Sequence, residues 1–156
     1  MQALALSNST TSRLRALASL EAASLAAAMH SNRLYWSAAA PASVTVTPTV
    51  IGSTDANLAA QAAVDLGNLQ ACVGTSVGGV QCTPPNLAAY DVANWATDLG
   101  ALLPNPAATI LCPPAVSGPV SCTIQITWTE RAVSVNTQSV STGQFALPTY
   151  TLYVEP

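Results

Sequence analysis

Residues 3–32 contain neither glycine nor proline. Leu14, Leu17, Ala18, Ala22, Leu25 and Met29 recur along them at helical spacing, with Arg13, Arg15 and Glu21 between. The pattern predicts one long helix, about 45 Å from end to end at 1.5 Å per residue. That is long for a chain of 156 residues, since helices in globular domains average about three turns. The first dozen residues, Gln2 to Arg13, are rich in Ser, Thr and Asn and lack a strong apolar stripe. A helix that outruns its own core implies an upstream attachment, so the chain is expected to be the trimmed, soluble part of a longer protein. Asn32-Arg33 ends the helix, and Tyr35-Trp36 begins the packed body.

The length suits one domain with a real core. Half the residues are hydrophobic but only 7% are charged, against about 25% in an ordinary soluble domain. Lys+Arg total 4, all of them Arg, and Asp+Glu total 7, for a net charge of −3. No basic footprint for nucleic acid exists, so strong binding of DNA or RNA is not expected. The composition also excludes disorder of the charged, hydrophobe-poor kind. Mean hydropathy is +0.38, yet Ala22 to Met29, the most apolar run, is far short of the roughly 20 residues a membrane span needs. No secretory signal follows Met1.

Cys72, Cys82, Cys112 and Cys122 form two pairs with nine residues inside each. The even count, the lack of CxxC and the Gly/Ser/Pro-rich intervals argue for disulfides rather than zinc. Disulfides imply an oxidising compartment. Cys72–Cys82 with Cys112–Cys122 is the favoured pairing, and the nested Cys72–Cys122 with Cys82–Cys112 stays open.

Ala38 to Pro48 reads as a connector with a short edge strand at Val44 to Val46. A second helix is expected from Asp55 to about Leu69, burying Leu58, Ala62, Leu66 and Leu69. A third starts at a Thr83 cap followed by Pro84-Pro85, where a missing N–H costs nothing. It buries Ala88, Val92, Trp95, Leu99 and Leu102 and stops at Pro104. The period then becomes two. Ala108 to Leu111 is a short apolar strand, and in Cys122 to Glu130 Ile124, Ile126 and Trp128 alternate with polar residues. The segment 113–119 joins these two strands as a hairpin. Arg131 to Val140 can be strand or loop, and Thr149 to Val154 is the last strand. Helices first and strands after argue α+β, an antiparallel sheet covered by helices on one face. The expected core anchors are Leu25, Met29, Trp95, Leu99, Ile124, Ile126 and Trp128.

No catalytic constellation is visible, and the chain is not expected to be an enzyme. His30 has neither a GxSxG nucleophile nor a free cysteine to serve. Asp91 and Asp98, about 10 Å apart along one helix, are expected to flank the buried stripe without lining a cleft. Glu130-Arg131 reads as a surface pair, and no calcium loop is present. Neither a metal nor a cofactor is implied. Trp95 and Trp128 fall on buried faces; Trp36 is the one left for a sugar-stacking surface.

Three segments carry a family resemblance. Met29-His30-Ser31-Asn32-Arg33-Leu34-Tyr35-Trp36 resembles the "MRANR…Y" segment of PilV-type minor pilins, the type IV pilus modification proteins. Cys82-Thr83-Pro84-Pro85-Asn86-Leu87-Ala88-Ala89-Tyr90-Asp91 is similar to their "C-[ST]-P-x-x-L-A-A-Y-D" motif, and the likeness continues through Trp95, Leu99, Leu102, Leu103 and Pro104. Cys122 to Glu130 resembles the family strand "TITVTWxE". His30 stands where the family often has Arg, and the family's Gly-Phe-Thr-Leu-Ile-Glu-type start is missing. The resemblance implies a type IV pilin fold in one domain over 1–156: an N-terminal helix at 2–33, a helical and loop region at 34–104, and an antiparallel sheet with the C-terminal region at 105–156. It further implies a non-catalytic subunit of the pilus-priming and tip complex that supports twitching motility and adhesion. The implied partners are other minor pilins, the major pilin and a tip adhesin. The full-length form would be anchored in the bacterial inner membrane, facing the periplasm, and later carried into the extracellular pilus. Leu4, Leu6, Leu14 and Leu17, with the loop at 113–119, are the candidate subunit interface. A type II secretion pseudopilin and a secreted glycan-binding module using an exposed Trp36 and the Pro-rich loops are the alternatives.

Overall fold

A computed structural model describes residues 2–38, 41–67, 83–114, 118–130 and 147–156, and the backbone alone for 2–7 and 67. It contains helices α1 (Gln2–Ser31), α2 (Arg33–Trp36), α3 (Ala56–Gly67) and α4 (Pro84–Leu102), and strands β1 (Ser43–Val46), β2 (Ile51–Ser53), β3 (Ala107–Leu111), β4 (Cys122–Thr127) and β5 (Thr149–Val154). The expected Cys72–Cys82 bridge, Leu69, the central residues of the 113–119 loop and Arg131 to Val140 lie outside the described residues.

The strands form one antiparallel sheet in the order β2-β1-β3-β4-β5. The fold is α+β, with the long N-terminal helix packed on this sheet. The register places Val44, Ile110, Ile124 and Leu152 in one row, and Val46, Ala108, Ile126 and Tyr150 in the next. Both rows face the helices, and all their residues are buried or partly buried against the core. The opposite face carries Thr45, Thr109, Gln125 and Thr151 in one row and Ser43, Leu111, Thr123 and Tyr153 in another. No residue of these two rows is charged, so part of the charge deficit resides on the outer face of the sheet.

Helix α1 crosses β4 and β5 and packs on α4, while α3 lies between α4 and β2. Ala18, Ala22, Leu25 and Met29 are buried as their spacing predicted. On α4 the buried face is Ala88, Ala89, Val92, Ala93, Trp95, Ala96 and Leu99. The small side chains let two helices approach this one closely. Leu102 is exposed and Leu103 is buried instead. The helix ends at Leu102, and Leu103 has extended backbone angles that turn its side chain inward. Thr83 caps α4 with its backbone, its carbonyl accepting from the Leu87 N–H at 2.9 Å, and not with its hydroxyl.

The strand at Val44 to Val46 is not an edge. The edge beside it is β2, three residues long, reached through a turn in which Thr47 and Val50 exchange hydrogen bonds. Gly52 pairs with Thr45, and a Cβ there would stand 2.8 Å from the threonine Oγ1, so a larger residue would force that hydroxyl to move. Asn105, in the turn from α4 to β3, has φ of 46°, a left-handed conformation that asparagine tolerates.

α1 ends at Asn32, whose backbone leaves the helical region. This residue is buried, and its Nδ2 donates to the Pro84 carbonyl at 2.7 Å, tying the helix end to the start of α4. Asn32→Ala is expected to lower stability by about 1–2 kcal/mol, the cost of losing a buried hydrogen bond. Urea denaturation of the two proteins measures it.

Candidate functional site

Two features of α1 are candidates for function: its outer half, and the seam it makes with α4. In the outer half, Asn8, Ser9, Thr10, Ser12, Arg13, Arg15 and Ala16 are exposed. Leu14 and Leu17, two of the expected interface residues, are partly buried and pack against the edge of the core. Leu4 and Leu6 lie on the same helix, and only their backbone is described. The outer half is held near the sheet through Glu130. Its Oε1 accepts from Trp128 Nε1 at 3.0 Å and its Oε2 from Thr11 Oγ1 at 3.4 Å. Glu130 is thus a part-buried clamp between strand and helix, a role beyond the surface pair expected of it.

The seam is held by Trp95, whose Nε1 donates to the Glu21 carbonyl at 2.9 Å. Beside this contact is a cleft of about 90 Å³ lined by Ser24, Leu25, Ala28, Asp91, Asn94, Trp95 and Asp98. The expectation that Asp91 and Asp98 do not line a cleft is therefore corrected. Their seven-residue spacing places both towards α1, and the small Ser24 and Ala28 leave the space open. Burial pushes the Asp91 carboxyl up to about 6. Burial, and then the negative charge of Asp98, raise Glu21. A cleft this small does not admit a sugar ring, since small-molecule pockets run to roughly 300 Å³ and above.

All seven expected core anchors, Leu25, Met29, Trp95, Leu99, Ile124, Ile126 and Trp128, are buried. Trp36 joins them at 1% exposure, in edge-to-face contact with Tyr35 at 5.3 Å between ring centroids. Buried in this way its ring is not available to stack on a sugar, so the expectation of an exposed Trp36 is corrected. His30 is exposed, near the end of α1. Cys112 and Cys122 are bridged, with Cα atoms 4.2 Å apart. Among the described residues no group of three or more His, Cys, Asp or Glu could hold a metal ion.

Sequence reasoning also missed two part-buried side-chain contacts. The Tyr35 hydroxyl donates to Asp55 Oδ2 at 2.7 Å, and burial, followed by this bond and the charge of Asp55, raises the phenol well above its ordinary range. Asp65 is buried near the end of α3, accepts from Gln61 Nε2 at 3.1 Å and is raised mainly by burial. The i, i+4 spacing of Gln61 and Asp65 was a readable signal; nothing in the sequence linked Tyr35 to Asp55. Among the described residues no helix is long and apolar enough to cross a membrane. No protein-family model, curated protein or solved structure matches the chain.

Proposed function

We propose that this chain is a minor pilin of the PilV type. It is a non-catalytic subunit of the complex that primes type IV pilus assembly and sits at the tip, where it supports twitching motility and adhesion. The observation that carries the reading is the division of α1. Its inner half buries Ala18, Ala22, Leu25 and Met29 against the sheet and α4, while most side chains from Asn8 to Ala16 remain in solvent. The outer half touches its own domain along one side only, through Thr11, Leu14 and Leu17, and its opposite side is left to offer to neighbouring subunits. The three motif resemblances support the same reading. The motif residues Trp128 and Glu130 act in holding the outer half of α1 to the sheet. The pilin fold, the periplasmic and later extracellular location, and the partnership with other minor pilins, the major pilin and a tip adhesin belong to this proposal.

A photo-crosslinking residue at Ser9, Ser12 or Ala16 tests it in a piliated bacterium that makes the full-length protein. Adducts with other minor pilins, and loss of surface pili and twitching on deletion of the gene, are expected. Normal piliation in the deletion strain with no pilin adducts would count decisively against the assignment. Calcium separates the pseudopilin alternative, because a bound ion raises the melting temperature in proportion to its occupancy. For a pilus subunit of this kind the melting temperature in calcium and in chelator is expected to be equal.

A further inference from the structure

The seam between α1 and α4 carries an uncompensated carboxylate. Asp91 extends from α4 into the cleft whose α1 wall is Ser24, Leu25 and Ala28. Its Oδ2 is buried and has no hydrogen-bond partner among the described residues. An ionised oxygen placed so loses its hydration without gaining a donor. The neighbouring charges do not help. From α4 itself Asp98 lines the same cleft, and from α1 Glu21 stands one turn before Ser24. The remaining ionisable groups of α1, Arg13, Arg15 and His30, do not line it. The other helices packed on α4 are α2 and α3. They carry Arg33, Tyr35 and Asp65, and α4 also carries Tyr90, none of which lines the cleft. Among the described residues no cation lining the cleft offsets the charge of Asp91, and burial opposes its ionisation. Once protonated, Asp91 is neutral and becomes a donor, with the Ser24 hydroxyl and the Asn94 side-chain carbonyl in the same cleft as acceptors.

We propose that the α1–α4 seam is an acid-tightened latch, in which proton uptake by Asp91 removes a buried charge and seats α1 more firmly on α4. The inference rests on the packing of the seam and not on the pilus reading. Its direction follows from linkage. Asp91 is raised in the folded chain from an ordinary 3.8 to about 6. The seam is therefore weakest above about pH 6 and gains strength as pH falls from there towards 3.8. Glu21, also raised, extends the effect in the same direction.

Amide hydrogen exchange of residues 18–29 at pH 5 and pH 7.5, corrected for intrinsic rates, reads the opening constant of the seam. It is expected to be several-fold larger at pH 7.5. Tenfold is roughly the ceiling for a group with this folded value, and solvent screening of a half-exposed carboxyl reduces it. Asp91→Asn is expected to remove most of the step, leaving only the smaller part carried by Glu21, and to bring the opening constant at pH 7.5 close to the one the parent shows at pH 5. Asp98→Asn and Glu21→Gln are expected to retain the step. If Asp91→Asn does not fold, carbon NMR titration of the Asp91 carboxyl in the parent protein decides. A midpoint near 6 supports the latch and one near 4 overturns it. Equal opening constants at the two pH values in the parent, or an undiminished step in Asp91→Asn, also overturn it.

Discussion

Trp128→Ala is expected to lower the free energy of unfolding by about 3–5 kcal/mol, at the upper end for a core truncation. Trp128 follows β4 and is 1% exposed. Three separate losses converge on it. The first is the volume of the indole within the single core cluster, where a cavity forms because the neighbouring strands cannot collapse into it. The second is the Nε1 bond to Glu130 Oε1 at 3.0 Å, a charge-assisted contact of a kind worth about 1.5–3 kcal/mol. The third is indirect. Glu130 also accepts from Thr11, so losing the indole frees the carboxylate that holds the outer half of α1. Trp128→Phe separates these effects. It keeps most of the apolar volume and loses the donor, so it is expected to cost less than half as much as alanine. Urea unfolding of the three proteins, followed by far-UV circular dichroism, measures both. A loss below about 1 kcal/mol in Trp128→Ala would contradict the burial assigned to the indole.

The same residue shows what the sequence discloses and what it does not. Ile124, Ile126 and Trp128 alternate with threonine and glutamine, so the inward face of β4 was legible from period alone. The helices were legible for the same reason, since Ala18, Ala22, Leu25 and Met29 on α1, and Val92, Trp95 and Leu99 on α4, repeat over several turns. β2 was not legible, because three residues with a central glycine cannot display an alternation. Trp36 was ambiguous because the four residues of α2 are too few for a stripe, and its burial is decided by what folds over it. The α1–α4 cleft was illegible for a different reason. Asp91 and Asp98 are readable as neighbours on one helix, and Ser24 and Ala28 as small residues on another. Which faces meet is fixed by how α1 lies on the sheet, and that depends on distant contacts such as Asn32 with Pro84 and Trp95 with Glu21. The sequence pattern marks faces of elements; the pairing of those faces is a property of the assembled core.

The Cys112→Ala/Cys122→Ala double variant is expected to lose about 2–3 kcal/mol, the value for closing a loop of this length in the chain-entropy model. The two residues are 10 apart in sequence. Leu111 pairs with Thr123, so the bridge lies one position beyond the last rung of the β3–β4 ladder. It ties the hairpin at the end where the 113–119 loop begins. The Cys112 N–H donates to the Ala42 carbonyl at 3.0 Å, and Cys122 pairs with Val154. The bridge thus sits where β1, β3, β4 and β5 converge, and both of its residues are fully buried. In a domain of this size 2–3 kcal/mol corresponds to roughly 5–10 °C in melting temperature. The double variant is a cleaner test than reduction, because it changes this bridge alone. Packing and cross-linking are separated by Cys112→Val/Cys122→Ala, which restores apolar volume without restoring the bond. If constraint of the unfolded chain dominates, this variant remains nearly as destabilised as the double alanine. Recovery of the parent melting temperature would assign the stabilisation to packing at the end of the sheet instead.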